Sequence, residues 1–336
     1  MNIFNIVLFT VSVTFQSSYG LFGLSSHRPL NYLRKQNSSL DFIKSANLPR
    51  SIRGFFLNDP GFAETLKTSI KSAIATCKLV NDNYRWNCPI KEHFRESILR
   101  KGFKETAFLH ALQASAIVIE FAKACSSGGV ALCGCAAGTS NESLERGECN
   151  DNIRFGKSVL QQLINYSRKK KSKLQMVNEH NARVGLHWVR KRTRRKCKCY
   201  GFSGSCEKKI CWRSTPSMGK IGSLLHKRMI RSVNVDRSTL ERKGPKRNKG
   251  LSIIASKLSL VRTTKSPDFC SDSKYSNGTK RRRCQNDKHC KVLCCGRGYR
   301  RKRVRIETTC CRMKKTLGFP TSCPECAKII TVRLCK

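Results

Sequence analysis

A chain of 336 residues with 39% hydrophobic composition can bury a core, which excludes disorder throughout and suggests one large domain or two of ordinary size. Its 67 Lys and Arg against 21 Asp and Glu leave a formal charge of +46, so self-repulsion calls for covalent bracing or an acidic partner. The 20 cysteines offer the bracing.

In chain order, Ile3 to Phe15 has the length of a secretory apolar region and is too short to cross a bilayer, while Ser18 and Gly20 frame a cleavage site. Residues 1–20 therefore read as a signal peptide, with the start-methionine amine as their positive charge. Secretion makes disulfides the first meaning of an even cysteine count, and the sequons at Asn37, Asn141, Asn165 and Asn277 fit the same compartment.

Phe103, Ala107, Leu109, Ala111, Leu112, Ala114, Ile117, Val118, Phe121 and Ala122 form a broad apolar surface without proline, which predicts a largely buried helix. His110, Gln113 and Glu120 interrupt Ala107 to Ala122, so no later segment is expected to span a membrane. Asn152 to Ser167 and Leu174 to Val189 read as further helices. Residues 77–211 hold ten cysteines, 212–269 none and 270–336 the other ten. The fold class expected is α+β and disulfide-rich. A helical N-terminal domain, 21–236, carries a braced hairpin at 197–211, a basic linker follows at 237–265, and a small cysteine-rich β-hairpin domain occupies 266–336.

The densest signal is Cys197-Lys198-Cys199-Tyr200-Gly201-Phe202-Ser203-Gly204-Ser205-Cys206, followed by Cys211. Cysteines two apart share a strand face, so Cys197 and Cys199 can form nested rungs with Cys211 and Cys206 around a six-residue tip. Gly201 and Gly204 allow positive φ there, and small neighbours leave the Ser203 hydroxyl open at the apex.

This segment resembles the Wnt family motif of two alternating cysteines and His-Gly-x-Ser-Gly-Ser-Cys, with Tyr200 in place of the histidine. Cys77 to Cys88 with its Arg-Trp-Asn-Cys ending, Ala124 to Gly128, Cys133-Gly134-Cys135, Asp151 to Gly156, His180-Asn181, Ser266 to Cys270, Cys294 to Gly298 and the terminal Cys335-Lys336 are similar to family signatures, in order. The resemblance implies a secreted, non-enzymatic signalling ligand found in the extracellular space and matrix, whose Ser203 is esterified with a monounsaturated fatty acid by a membrane-bound acyltransferase. The acyl chain would enter the Frizzled cysteine-rich domain, with a low-density-lipoprotein-receptor-related co-receptor and a secretion carrier as further partners. Tyr200 and Phe202 are receptor-contact candidates at the hairpin. The family's adjacent cysteine pair near the tip of the C-terminal finger is missing from Arg312 to Ser322, where Met313, Leu317 and Phe319 are the candidates instead. The bridges implied are Cys77–Cys88, Cys125–Cys133, Cys135–Cys149, Cys197–Cys211, Cys199–Cys206, Cys270–Cys295, Cys284–Cys290, Cys294–Cys335, Cys310–Cys326 and Cys311–Cys323.

Other readings of the same residues are weaker. Basic runs at Arg168–Lys173, Arg190–Lys198, Lys280–Arg283 and Arg300–Arg305 on a secreted chain point to heparan sulfate and not to nucleic acid. Charge alone would equally suit an unlipidated heparin-binding matrix or defence protein. Gly201 to Ser205 lacks the final glycine of a hydrolase elbow, no His-Glu-x-x-His occurs, and Cys323-Pro324-Glu325-Cys326 is better read as bridged than as a metal site, so no cofactor and no metal are expected. Trp86, Trp188 and Trp212 read as packing residues.

Overall fold

The helix Pro60–Asn81 begins at a strong start signal: in the computed structural model, Asp59 accepts from the Gly61 amide at 2.9 Å and Pro60 occupies the first turn. The structure describes residues 54, 58–89, 92–141, 145, 148–165, 173–202, 205–235, 258–309, 312–313, 320–322 and 325–336. Residues 1–20, read above as a signal peptide, Asn37 and residues 237–257 of the expected linker lie outside them.

Helix α1 (Pro60–Asn81) is followed by the short α2 (Glu92–Leu99) and by α3 (Lys104–Ser126). Helices α4 (Ile153–Asn165), α5 (Lys173–Arg192) and α6 (Met218–Ile230) follow in the helical lobe. The axis is α3: residues 105–119 are all buried, and α1, α4, α5 and α6 each pack against it. The expectation that nothing here could span a membrane is corrected, because this 23-residue helix is long and apolar enough to do so. It serves as a core helix instead, with even His110 and Gln113 buried among its neighbours. A helix apolar all round needs protein on every side, and four helices supply it.

Close approach around α3 depends on two glycines. A Cβ on Gly185 of α5 would lie 2.1 Å from the Ala111 carbonyl oxygen, and one on Gly156 of α4 would lie 2.5 Å from that of Val118. The gaps between helices are filled by aromatic packing, as where Phe62 of α1 meets Phe121 of α3 with ring centroids 4.6 Å apart. Trp86 and Trp188 are buried, and Trp212 is half-buried.

The end of the segment read as a linker belongs to this packing. Strand β3 (Val233–Asn234) pairs in parallel with β4 (Val261–Arg262), and Asn181 brackets Val261 by accepting from its amide at 2.9 Å and donating to its carbonyl at 3.0 Å. The Trp188 indole donates to Leu258 O at 3.2 Å, so residues 258–262 are tied to α5.

The C-terminal lobe is built from short strands and sulfur, as expected. Strands β5 (Asp272–Ser273) and β6 (Ser276–Asn277) form a small hairpin. Strand β7 (Arg283–Cys284) adds to the end of a long antiparallel ribbon of β8 (Tyr299–Thr309) and β11 (Glu325–Cys335). A two-rung ladder of β9 (Arg312–Met313) and β10 (Pro320–Ser322) lies between them in sequence. One helix was not expected here: α7 (Asp287–Leu293), capped by Asn286, which accepts from the His289 amide at 2.8 Å. Its core is Cys284, Cys290, Leu293, Cys294 and Cys335, a cluster in which bridges replace apolar area.

Eight disulfides are described: Cys77–Cys88, Cys125–Cys133, Cys135–Cys149, Cys197–Cys211, Cys199–Cys206, Cys270–Cys295, Cys284–Cys290 and Cys294–Cys335. Cys326 is also bridged, while Cys310, Cys311 and Cys323 lie outside the described residues. Cys284, Cys294 and Cys335 come together closely enough to suggest a metal cluster, but all three are oxidised into bridges and offer no thiolate.

Candidate functional site: a braced hairpin

Helix α5 ends in Arg190, Lys191 and Arg192, cations well placed at a helix C-terminus, and Thr193 closes it by donating its hydroxyl to Val189 O at 2.9 Å. The chain then enters β1 (Arg194–Tyr200), which pairs antiparallel with β2 (Lys208–Ser214). Seven Lys and Arg stand between 194 and 214 against the single acid Glu207. Only a minority of the ribbon is covered, with Ile210 and Ser214 buried and Tyr200 half-buried.

The register corrects the picture of two nested rungs. Cys197 faces Cys211 across the ladder, which places Lys209, not Cys206, opposite Cys199. Pairing continues to Tyr200 and Lys208, so Cys206 lies in the turn and the Cys199–Cys206 bridge pulls the tip back against its own strand. A ladder with Cys197 opposite Cys211 cannot hold both bridges in register, because Cys206 falls three residues short.

At the tip, the Ser205 amide donates to Phe202 O at 3.0 Å, and Ser205 Oγ lies 2.8 Å from both Phe202 O and Glu207 Oε1. Gly201 is needed for space and not for a left-handed backbone: its φ is not positive, and a Cβ there would meet Ser205 O at 2.3 Å. Phe202 is 86% exposed, a large apolar side chain held out in solvent. Ser203 and Gly204 lie outside the described residues.

What holds the hairpin upright is a strap, residues 148–152, that no motif announced as such. Asn150 Oδ1 accepts from the Arg213 amide at 2.6 Å, and the Asp151 amide donates to Arg213 O at 2.9 Å. Asp151 Oδ2 accepts from the Thr215 amide at 2.6 Å and its hydroxyl at 2.8 Å, while Oδ1 accepts from Ser126 Oγ at 3.0 Å. Asn152 caps α4 by accepting from the Phe155 amide at 3.0 Å and donates to Gly134 O at 2.9 Å. Hairpin root, end of α3, start of α4 and the 133–135 loop thus share one polar junction.

The remaining candidates are dispersed. Tyr200 donates its phenol to Glu148 at 3.2 Å. Met313 sits in β9 opposite Pro320, and Leu317 and Phe319 lie outside the described residues. Asn141 and Asn277 are exposed, whereas Thr279 of the second sequon is buried, donating to Cys270 O and accepting from Arg297. The side chain of Asn165 lies outside the described set. Arg301, Arg303 and Arg305 alternate along β8 and share one exposed face of the ribbon.

Comparison with known proteins gives a consistent relationship. The model of the wnt family matches residues 44–336. The chain is 31% identical to Protein Wnt-9a of Gallus gallus over the whole of both chains, and 34% identical to Protein Wnt-9b of Mus musculus over 83% of this chain and 80% of that one. Among solved structures, a chain of "Human WLS in complex with WNT8A" shares the fold with a TM-score of 0.59 at 24% identity, covering 82% of this chain and 94% of that one.

Proposed function

The chain belongs to the Wnt family of secreted signalling ligands, which are not enzymes, and from that premise we propose that it binds the Frizzled cysteine-rich domain through an acyl chain carried on Ser203. The observation that supports this reading is the geometry of the hairpin: a twice-bridged ribbon rooted in the helical lobe, with Gly201, Phe202, Ser205 and Cys206 all exposed around position 203. Flanks exposed in this way suit modification by a membrane-bound acyltransferase without unfolding of the protein. Burying the acyl chain in the receptor would contribute roughly 0.8 kcal/mol per CH₂, and on the order of 10 kcal/mol for a long chain before ordering costs, so lipid dominates the contact.

In this reading Phe202 packs beside the lipid, the C-terminal finger around Met313 supplies a second contact, and a low-density-lipoprotein-receptor-related protein joins as co-receptor. The complex of human WLS with WNT8A supports a carrier of that kind during secretion. The exposed arginine row on β8 is the surface we assign to heparan sulfate, which would keep the ligand in the matrix and at cell surfaces. Metabolic labelling with an alkyne fatty acid tests the central claim: wild type takes up label and Ser203→Ala does not. Equal labelling of both, or of neither, would reject it in favour of an unlipidated polyanion-binding protein.

A further inference from the structure

Position 200 holds tyrosine where the resembled motif has histidine, and the structure gives that tyrosine a partner within the chain. Its hydroxyl donates to Glu148 Oε1 at 3.2 Å. Lys198, two residues earlier on the same strand face, brings Nζ to 3.7 Å from that oxygen and to 5.0 Å from the Tyr200 ring centroid. Glu148 is itself held, because Cys149 next to it is bridged to Cys135. Asn150 and Asp151 then bind the backbone of Arg213 and Thr215.

The strap therefore grips the ribbon at two heights. Tyr200 pairs with Lys208, five residues from Arg213, so the grips are about 17 Å apart along the strand. A lone two-stranded ribbon is marginally ordered by itself, and bridges between its own strands do not fix its angle to the helices. A second grip near the tip does fix that angle. An imidazole at position 200 is shorter than a phenol and would leave Glu148 to Lys198 alone.

We infer that Glu148 is a positioning residue, which captures Tyr200 from within the chain and thereby sets the direction in which the hairpin tip is presented. Tyr200 is then spent on this grip and is not itself a receptor contact. The functional half of the inference rests on the hairpin being the acyl-bearing, receptor-binding element proposed above.

The test uses the full secreted chain as Glu148→Ala, Glu148→Gln and Tyr200→Phe, with three readouts. These are hydrogen exchange of peptides covering 198–208, affinity of the acylated protein for an isolated Frizzled cysteine-rich domain, and melting temperature. Glu148→Ala and Tyr200→Phe speed exchange at the tip and weaken receptor binding by about tenfold, with melting temperature unchanged. Glu148→Gln keeps an acceptor for the phenol and recovers most of both effects. Unaltered exchange in Glu148→Ala and Tyr200→Phe overturns the inference, as does a Gln variant no better than the Ala variant, or an affinity loss that tracks a fall in melting temperature. Tyr200→Phe, a single-atom change, carries the test should Glu148→Ala fail to be secreted. If the Ser203→Ala protein binds the receptor like wild type, the functional reading fails, while the exchange result still decides what Glu148 does.

Discussion

Replacing Asp151 by alanine should detach the hairpin root from the helical lobe. Its carboxylate accepts three hydrogen bonds, two from Thr215 and one from Ser126. Ser126 already has a second acceptor in Lys123 O at 2.9 Å, so its bond is replaceable. Thr215 is buried, and the alanine variant would leave its amide without that partner. Two bonds to an ionised acceptor at roughly 1.5–3 kcal/mol each, discounted because they share one oxygen, give a loss of about 3–4 kcal/mol. Asp151→Asn sets the sign of the reasoning. Its carbonyl oxygen can take both Thr215 donors and its amide can turn to Ser126 Oγ, so only charge assistance is lost, about 1 kcal/mol. Thermal scans at one fixed rate keep the variants comparable whether or not unfolding reverses, and they should show a fall of about 6–16 °C for alanine and less than half of that for asparagine. Hydrogen exchange at the Thr215 amide should rise in the alanine variant alone. Equal losses for the two variants, or a Thr215 amide still protected in Asp151→Ala, would refute the assignment of this junction to the carboxylate.

Gly185→Ala should destabilise by about 1–3 kcal/mol despite its helix-propensity gain, because the new methyl must clear the Ala111 carbonyl by about 1 Å; Gly219→Ala, with nothing within 4 Å, should be neutral to stabilising by up to about 1 kcal/mol. Comparing their melting temperatures checks both signs at once, and a stabilised Gly185→Ala would mean that the helices do not meet there. Acid should weaken the helical lobe through buried histidines: burial holds His110 and His226 down to about 4 against an ordinary 6.5, and holds His180 down as well. A depressed folded value means that the unfolded chain binds the proton more readily, so stability is intact above about 6.5 and is lost as pH falls toward 4, by roughly 3 kcal/mol for His110. Glu105 opposes this, since burial raises its carboxyl and the folded state gains protons below that raised value. Denaturation midpoints followed between pH 7 and 4 in wild type and His110→Gln should show a flatter slope in the variant, and parallel slopes would remove His110 from the account.

The axial helix was legible because apolar residues recur on every face from Phe103 to Ala122 with no proline, interrupted by few polar residues, a breadth that suits a largely buried helix. Its neighbours α4 and α5 were legible too, whereas α1 was harder to see. Helix α1 carries its start signal in Asp59-Pro60 and its buried stripe in Phe62, Leu66, Ile70 and Ala73, but the threonines, serines and lysines between them dilute the period. In α7 the buried positions are Cys290 and Leu293, so a cysteine stands where a hydrophobe would have announced a helix. The hairpin and its serine were visible as motif, but the register was read as two nested rungs, although Cys197 opposite Cys211 forces Lys209 opposite Cys199. The strap's contacts with the hairpin were not visible, although Cys149, Asp151 and Asn152 stood in motifs. Asp151 meets Thr215 across 64 residues and Glu148 meets Tyr200 across 52, contacts between polar side chains that no local period encodes.

The same logic of polar clamps joins the two lobes. The loop closed by Cys77–Cys88 presents the backbone oxygens of Asp82 and Arg85 to the Arg282 guanidinium, at 2.6 and 2.7 Å. Arg85 answers by donating to Val292 O at 2.9 Å, and Gln285 donates to Asn83 Oδ1 at 3.1 Å. His289 accepts from the Gln285 amide at Nδ1, which leaves the proton on Nε2 to be donated to Asn83 O at 2.8 Å. The exposed bonds among these contribute little alone, yet the bidentate guanidinium, whose bond to Arg85 O is part-buried, fixes direction as well as distance. In the two-lobe receptor contact proposed above, the second contact adds affinity only if the two are already held apart at the right span, since a loose pair would lose that gain to ordering. Strap and latch therefore do related tasks at different scales: one sets the angle of the hairpin on its lobe, the other the position of that lobe against the next.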